Sequence, residues 1–420
     1  MRRSTFPNSS KSHDLRLLHT SDWHLGQHFM GQNRQTEHLA FIDWLAEQVR
    51  AHSVDVVIVA GDIFDTGAPP SYARELYNHC VLALRDAGAE FVVLGGNHDS
   101  VSMLGESRSL LAHLNTRVVP CMAEHAEDQV MVLHTRSGVP GAVLCAVPFL
   151  RARDLLLSQP GQSAADKQLA LQRSIRAHYQ ALHVLAVERS AALGGLPIVA
   201  TGHLTTVGAS ASESVREIYV GSLEAFPTNA FPPADYIALG HIHQPQKVGG
   251  LEHVRYSGSP IPLSFDEARQ HKEVLLVDFD LAGLKSVTPL AIPRFQPLAS
   301  VRGRLAELPA AFAEAASLGS DSLPVWIEVE VAHDDYLVDL QVRVAKMAEG
   351  LPIQILRVRR ARNALPTLLE TSAGETLDEL GPAEVFARRL AAQSLEPALE
   401  ERLSALYRTV LADLEERPAP

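Results

Sequence analysis

Five apolar segments of this chain each run into the same kind of polar residue, and this pattern limits the folds open to it. Each segment is short and rich in β-branched residues, as buried strands are. The residues that follow are Asp, Asn or His, and four of the five approaches contain glycine. The five strings are LLHTSDWH at 17–24, VVIVAGD at 56–62, FVVLGGNHD at 91–99, IVATGH at 198–203 and YIALGHIH at 236–243.

Polar side chains beside a core strand need a partner, because an unsatisfied polar group costs free energy when it is buried. A polar turn between strand and loop explains any single one of these strings. Five strings with the same chemistry in one chain indicate a metal site instead.

The order of strands and helices predicts an α/β fold with two sheets. Strands at 15–20, 54–60 and 90–94 alternate with helices at 34–52 and 71–87. This order predicts a largely parallel, doubly covered sheet with its site at the carboxyl ends of the strands. Two adjacent strands at 129–135 and 142–148 and a long helix at 164–193 follow. Strands near 197–201, 235–240, 254–257 and 273–279 then predict a second sheet packed on the first, giving a two-sheet αββα sandwich.

At 420 residues the chain is too long for one compact core, so several domains are expected. A disordered tail is predicted at 1–13 and a first domain at 14–283. Glycine and several prolines between 281 and 297 indicate a linker. A small α/β domain is predicted at 284–368, from a strand at 324–331, a helix at 336–349 and a strand at 353–358. The remainder, 369–420, is predicted to be helical at 383–392 and 398–416.

Composition excludes some classes of protein. The net charge of −12 argues against binding nucleic acid through one broad basic face. The three cysteines are widely spaced and form no CxxC motif, which favours a reducing compartment. No apolar stretch approaches about 20 residues, and the polar start resembles no secretory signal. A cytoplasmic protein is therefore expected.

The candidate ligands suit a particular kind of metal. Asp22 and His24 stand at i and i+2, as do His241 and His243, so in extended backbone each pair projects to one side. Carboxylate, amide oxygen and imidazole without thiolate suit Mn²⁺ or Fe²⁺ better than a structural zinc site. One carboxylate bridging two ions forms the clamp used for in-line displacement at phosphorus.

Other catalytic motifs are absent from the sequence. GxSxG, the signature of an esterase nucleophile, does not occur, and neither does the GxxxxGK[ST] loop that binds ATP. GGNHD lacks the spacing of a dinucleotide-binding loop.

The motifs DWHLG, GDIFD, GGNHD, GHLT and GHIH, in this order, resemble those of the calcineurin-like metallophosphoesterases. The longer strings HTSDWHLGQ, VAGDIFDTGAPPSYAR, LGGNHDSV, FPPADYIALGHIHQ and YSGSPIPLSFDE are similar to the SbcD family, the nuclease subunits of bacterial SbcCD complexes. The resemblance implies a homodimeric nuclease with two Mn²⁺ ions per chain, which works with the SbcC ATPase in DNA repair, recombination and replication. It further implies 3′–5′ exonuclease action on double-stranded ends, endonuclease action at hairpin DNA, and association with the nucleoid.

The resemblance also implies roles for particular residues. The first ion is held by Asp22, His24 and His243, the second by Asn97, His203 and His241, and Asp62 bridges both. His98 is not a ligand but protonates or steers the leaving 3′ oxygen, a role that suits an imidazole near neutral pH. Relatives outside bacteria often carry His at the position of Asp65. An anion there repels a DNA phosphate, so Asp65 is left out of the predicted site.

Two accessory surfaces are implied as well. The small domain corresponds to a capping domain that shapes the DNA path, and it offers an arginine cluster: Arg357, Arg359, Arg360 and Arg362. The last helix carries an apolar stripe for docking onto the SbcC coiled coil: Leu399, Leu403, Leu406 and Val410. The simpler alternatives are a solvated basic surface and a stripe that packs on its own domain.

Two other functions remain as alternatives. One is a different calcineurin-like phosphoesterase, either a phosphoprotein phosphatase or a nucleotide diesterase, which substrate preference distinguishes from a nuclease. The other is a non-catalytic scaffold for the ATPase. The complete ligand set together with His98 argues against a scaffold, because a decayed site would have lost some of these costly polar residues.

Overall fold

The structure, a computed structural model, describes residues 13–155, 163–212, 214–215, 225–332, 339–361, 386, 390 and 402–407. The first strands along the chain are β1 Leu15–Thr20, β2 His28–Phe29, β3 Gln32–Asn33, β4 Val56–Ala60, β5 Glu90–Leu94, β6 Thr116–Val119, β7 Val130–His134, β8 Pro140–Cys145 and β9 Ile198–His203. The later strands are β10 Tyr236–Gly240, β11 Gln246–Val248, β12 Leu251–Tyr256, β13 Glu273–Asp280, β14 Gly283–Ala291, β15 Leu298–Gly303, β16 Val325–Val331 and β17 Ile353–Arg360. The helices are α1 Gln35–Ala51, α2 Ser71–Asp86, α3 Val101–Gly105, α4 Arg108–Ala112, α5 Ala152–Leu155, α6 Ala164–Ala192, α7 Leu308–Ala316 and α8 Leu340–Met347.

The first sheet has the strand order β14-β13-β1-β4-β5-β6. Its strands β1, β4, β5 and β6 are parallel, and helices α1 and α2 bury their apolar faces against one side of it. The predicted alternation of strands and helices is confirmed. The prediction for 273–279 is wrong, because β13 pairs antiparallel with β1 in this sheet rather than joining the second. A short apolar run predicts a buried strand, but it does not indicate which sheet the strand joins or which strand it pairs with.

The second sheet has the order β11-β12-β10-β9-β8-β7, and α6 covers its outer face. Side chains of the two inner faces meet in one apolar layer, where Leu17, Ile58 and Val92 face Leu144 and Val199. Each sheet thus has the other sheet on one face and helices on the other. The predicted αββα sandwich is confirmed.

The prediction of a linker at 281–297 is wrong for most of these residues. Residues 283–291 form β14, which pairs antiparallel with β13 along its whole length. The expected domain boundary at 283/284 therefore falls at the start of a strand of the first sheet. Proline suggested the linker, but β14 lies at the sheet edge, where Pro289 needs no hydrogen-bond partner for its nitrogen.

The small α/β domain is built on three parallel strands in the order β15-β16-β17. Strands 324–331 and 353–358 and the helix around α8 were predicted, whereas β15 and α7 were not. Trp326 of this domain stacks on Phe29 of the large domain with ring centroids 5.9 Å apart. The two domains thus share an aromatic contact.

Residues 361–420 form a separate unit, of which the structure describes little. Residues 402–407 are helical, inside the predicted helix 398–416. The predicted helix 383–392 and the 368/369 boundary lie almost wholly outside the described residues. Among the helices that are described, none is both long and apolar enough to cross a membrane.

Glycines at the strand ends allow the two sheets to approach. A Cβ on Gly240, the last residue of β10, would overlap the backbone carbonyl oxygen of Ala60 at the end of β4. It would also lie 2.9 Å from Nδ1 of His203. Likewise, a Cβ on Gly96 would overlap the Asp62 carboxylate. Neither Gly95 nor Gly96 has a positive φ, so close approach of neighbouring atoms, rather than backbone conformation, requires glycine at both positions.

Gly240→Ala is therefore expected to lower the free energy of unfolding by about 1–3 kcal/mol, the usual cost of overpacking a core. Urea denaturation measures this loss. Gly105→Ala is the matched control, since its Cβ would come no closer than 3.4 Å to Pro120. Equal stability of the two variants would contradict the steric explanation.

Candidate metal centre

The predicted ligands converge where the carboxyl ends of β1, β4, β5, β9 and β10 meet. Among the described residues, potential ligand atoms within 4.8 Å of one another form three groups, and Asp62 and His24 each belong to two of them. The groups are Asp22–His24–His243, His24–Asp62–His98 and Asp62–His203–His241. Asn97 joins them through its side-chain oxygen, 2.9 Å from Nε2 of His203. All seven predicted ligands are thus brought to one place.

The backbone at this place is strained. Asp22, His24, Asp62 and His241 have φ values of 55°, 48°, 52° and 93°. Left-handed backbone at non-glycine residues costs about 1–3 kcal/mol each and is found mostly at functional sites. The expectation that Asp22/His24 and His241/His243 lie in extended backbone is therefore wrong. Tight turns after the strands, not strand alternation, aim these side chains.

Hydrogen bonds between loops hold this strained geometry. The amides of Asp22 and His24 donate to the carbonyls of Gly61 and Asp62 at 3.0 and 3.1 Å. The backbone amide of His241 donates to both carboxylate oxygens of Asp22, at 2.9 and 3.1 Å. Loops from both sheets are thereby locked to each other around the ligand groups.

Asp62 lies at the centre of the cluster and is 1% exposed. Its Oδ1 accepts the backbone N–H of His98 at 2.9 Å. Its Oδ2 lies 3.2 Å from Nε2 of His203 and 3.7 Å from Nε2 of His24. Burial alone would raise the pKa of Asp62, but His203 and then His24 hold it well below its usual range. The carboxylate is therefore anionic and ready to bind cations.

The ring of His203 faces two oxygen atoms through Nε2. Its Nδ1 donates to the Ala60 carbonyl at 2.8 Å, so Nε2 is the atom left for the cluster. Nε2 faces two acceptor oxygens, of Asn97 and Asp62, and its lone pair alone would be repelled by both. Burial lowers the pKa of His203, but the Asp62 carboxylate outweighs it and raises the pKa to about 9. A proton or a metal ion must bridge this gap.

His24 presents one ligand atom to the cluster. Its Nδ1 lies 3.1 Å from the Asp65 carboxylate, which can only accept, so Nδ1 donates and Nε2 carries the lone pair. That Nε2 is buried and has no hydrogen-bond partner. Sequence reasoning left Asp65 out of the site, but its carboxylate orients a predicted ligand. Its place three residues after Asp62 in GDIFD was the available signal.

His241 and His243 are held differently. Nε2 of His241 is buried without a partner, while its Nδ1 lies 3.2 Å from the Asn97 oxygen. Burial and then the charge of His203 lower the pKa of His241 well below its usual value, which keeps the imidazole neutral, as metal binding requires. Nδ1 of His243 lies 2.6 Å from the Ser214 hydroxyl. Sequence reasoning missed this serine.

His98 lies beside the ligands, with its ring edge-on to that of His24 at 4.7 Å. Its Nδ1 donates to the backbone carbonyl of Asp65 at 2.7 Å, so Nε2 is the nitrogen that can exchange a proton. Asp99, the next residue, accepts amide hydrogens from Gly96, Ile63 and Phe64 at 2.8–3.2 Å. Asp99 thereby ties the loop after β5 to the loop after β4.

These residues fit a pair of divalent metal ions. Carboxylate oxygens, an amide oxygen and four imidazoles converge, and two of the imidazoles present buried nitrogens without a partner. A buried nitrogen without a partner costs free energy, and a bound cation offsets that cost. No thiolate takes part, so the donor set suits metals that prefer oxygen and imidazole.

Comparison with known proteins identifies the family. Residues 15–245 match the calcineurin-like phosphoesterase family. Residues 294–394 match a family described as the type 5 capsule protein repressor C-terminal domain. The SbcD subunit of the nuclease SbcCD from Escherichia coli strain K12 is 50% identical over 95% of this chain and 98% of its own length. The chain belongs to the SbcD family of calcineurin-like phosphoesterases.

A more distant relative agrees. The SbcD subunit of the nuclease SbcCD from Rhodobacter capsulatus is 31% identical over 89% of this chain and 94% of its own length. As a member of the SbcD family, this chain is the metal-dependent nuclease component of an SbcCD complex and a hydrolase with the metallophosphoesterase fold. The predicted family, fold and enzyme class are confirmed.

The accessory predictions involve residues away from the metal centre. Arg357 and Arg359 lie on β17, and both form ion pairs with Glu328 of β16; Arg359 also pairs with Glu330 at 2.9 Å. Arg360 is exposed, and Arg362 lies outside the described residues. In the last helix Leu406 is 61% exposed and Leu403 is half-buried, while Leu399 and Val410 lie outside the described residues.

Proposed function

We propose that this SbcD-family chain hydrolyses phosphodiester bonds of DNA with two Mn²⁺ ions, as a 3′–5′ exonuclease on double-stranded ends and an endonuclease at hairpins. The observation that carries this proposal is the convergence of six predicted oxygen and imidazole ligands around Asp62, all of them buried except Asn97, which is half-buried. Similarity to SbcD nucleases supports a nuclease that acts on DNA. DNA repair, recombination and replication are proposed as its setting.

Two ion positions are proposed. Asp22, His24 and His243 would hold the first ion, and Asn97, His203 and His241 would hold the second. Asp62 would serve both ions, since it shares one ligand group with His24 and another with His203 and His241. When bound, the ions supply Lewis-acid polarisation of the phosphate and activation of the attacking water.

The protein side chains supply orientation and a proton. The Asp65 carboxylate and the Ala60 carbonyl fix the rings of His24 and His203, so that each presents Nε2 to the ions. His98 keeps its Nδ1 proton on the Asp65 carbonyl and gives its Nε2 proton to the leaving 3′ oxygen. The loop contacts of Asp99 hold His98 at this distance from the ligands.

Asp62→Asn is expected to abolish DNA cleavage and to lower the number of bound Mn²⁺ ions while the fold survives, because one carboxylate serves both ions. Metal analysis after gel filtration, together with a hairpin-cleavage assay, measures both effects. Asp43→Asn is the control, since this exposed carboxylate pairs with His79 on the outer helices, away from the ligand groups. Retained nuclease activity with normal Mn²⁺ content would rule out the bridging role.

His98→Ala is expected to keep both ions and to bind DNA, yet to cut it at least about 100-fold more slowly, because loss of a general acid typically costs about 10²–10⁴ in rate. A nitrophenyl phosphodiester should recover much of the loss, since its leaving group needs little protonation. His79→Ala serves as the exposed histidine control. Loss of an ion, or the same deficit on both substrates, would show that His98 is a ligand or a positioning group.

The small domain is proposed to shape the DNA path as a capping domain, with a large nuclease domain before it and a docking region after residue 368. We propose that four arginines of this domain neutralise DNA phosphates: Arg357, Arg359, Arg360 and Arg362. Glu328 and Glu330 hold two of these arginines in place and also offset part of their charge. We therefore expect this cluster to orient DNA more than to attract it.

The last helix is proposed to dock on an SbcC-type ATPase, with the chain acting as a homodimer. The apolar stripe Leu399, Leu403, Leu406 and Val410 supports docking, since a helix laid in a partner's apolar seam needs such a face. We also infer a cytoplasmic, nucleoid-associated protein. The three free cysteines, two of them buried, fit the reducing compartment that a cytoplasmic protein occupies.

Leu403→Glu with Leu406→Glu is expected to abolish most capture by SbcC, because two charges would enter an apolar seam, while Mn²⁺ binding stays intact. Co-purification with tagged SbcC measures the loss. Ala405→Glu adds a charge to an exposed position of the same helix and serves as the control. Capture of the double variant at the wild-type level would place the docking surface elsewhere.

A further inference from the structure

A buried ion pair lies next to His243 and takes no part in the roles assigned above. Glu267 is fully buried and Lys272 is 4% exposed. The ammonium Nζ of Lys272 donates to Oε2 of Glu267 at 2.7 Å. Burying two charges is costly unless they are paired and well hydrogen-bonded, so the surroundings of this pair indicate what it does.

The pair holds His243 from two sides. Lys272 Nζ donates to the backbone carbonyl of His243 at 2.9 Å. Glu267 Oε1 lies 3.5 Å from the ring nitrogen Nδ1 of His243. The Ser214 hydroxyl lies between them, 2.6 Å from Nδ1 and hydrogen-bonded to Glu267 Oε1. Both the main chain and the ring of this predicted ligand are thus tied to one ion pair.

Further hydrogen bonds keep the Glu267 carboxylate in one orientation. Its Oε1 accepts the Ser212 hydroxyl at 2.7 Å, and its Oε2 accepts the backbone N–H of Leu263 at 3.0 Å. Lys272 Nζ also donates to the Ser259 hydroxyl at 3.0 Å. With its acceptor sites occupied in this way, the carboxylate has little freedom to turn away from His243.

The turn that carries Glu267 is fixed by the small domain. Glu267 ends the 3₁₀ turn Phe265–Glu267. Phe265 packs edge-on against Phe29 at 5.0 Å, and Phe29 stacks on Trp326 of the small domain. Ser300, also from the small domain, donates its hydroxyl to the Phe265 carbonyl at 3.3 Å. The Glu267 carboxylate beside His243 therefore lies where the two domains pack together.

We propose that Glu267 is a positioning residue that, together with Lys272, sets the orientation of His243 and thereby the affinity of the first metal ion. The proposal rests on the two-ion site proposed above. With Nδ1 held by Ser214 and Glu267, the ring presents Nε2 to the ion and keeps one tautomer. The second ion, held by Asn97, His203 and His241, has no part in this network.

The test is Mn²⁺ binding to Glu267→Gln, measured by isothermal titration and by electron paramagnetic resonance. Loss of an outer partner of a metal ligand typically weakens metal affinity by about 10–100-fold. We expect a loss in this range for one of the two ions and wild-type affinity for the other. The spectrum should change from that of a coupled Mn²⁺ pair to that of a single ion. A purely structural role would lower the melting temperature without separating the two affinities.

Two further variants separate positioning from stability. Glu37→Gln removes another buried carboxylate of an ion pair, 2.8 Å from Arg34 Nε, and should leave both Mn²⁺ affinities unchanged. Glu267→Gln with Lys272→Met removes both charges, so no unpaired ammonium stays buried. This double variant should regain thermal stability relative to Glu267→Gln but not the affinity for the first ion.

The outcomes separate this proposal from the proposed function. If the wild-type chain binds fewer than two ions, the two-ion site itself is wrong. If the wild-type chain binds two ions, three results would overturn the role of Glu267 while leaving the two-ion site intact. These are wild-type affinity in Glu267→Gln, equal loss of both ions, or recovery of the first ion in the double variant. The double variant also provides the measurement if Glu267→Gln does not fold.

Discussion

The Asp62 carboxylate, buried between the two sheets, is the interaction on which the rest of the site depends. An anion taken out of water is costly unless cations or hydrogen-bond donors surround it. Here one backbone amide and two imidazole rings approach it, and no lysine or arginine is paired with it in the described residues. Positive charge must come from protonated histidine or from metal ions. The buried Nε2 atoms of His24 and His241, which have no hydrogen-bond partner, favour metal ions.

The surrounding fold accommodates this arrangement through backbone strain and through positions without side chains. Four ligands adopt left-handed backbone, and Gly96 and Gly240 leave no room for a Cβ. Backbone strain of this kind persists in a folded protein where a functional site needs atoms closer together than ordinary turns allow. The second layer of contacts, from Asp65, Ser214, Glu267 and Ala60, then removes the remaining freedom of the imidazole rings. If the proposed ligand set is right, metal affinity is expected to depend on these supporting residues as well as on the ligands.

The sequence pointed to the residues that converge in the structure but not to the residues that support them. Strand-end motifs locate Asp22, Asp62 and His203 because each comes within four residues of the end of an apolar run, and parallel strands bring such ends to one edge. Pairing between strands that are far apart in the sequence leaves no such signal in the local sequence. β13 was placed in the wrong sheet, and β14 was taken for a linker because proline is tolerated at a sheet edge. Glu267 lies 24 residues after His243, so only the folded chain shows their contact.

Anomalous diffraction from crystals grown with Mn²⁺ tests the central claim most directly. Two manganese peaks are expected, one among Asp22, His24 and His243 and the other among Asn97, His203 and His241. The Asp62 carboxylate should contact both. A single peak, or two peaks of which Asp62 touches only one, would contradict the bridged two-ion centre.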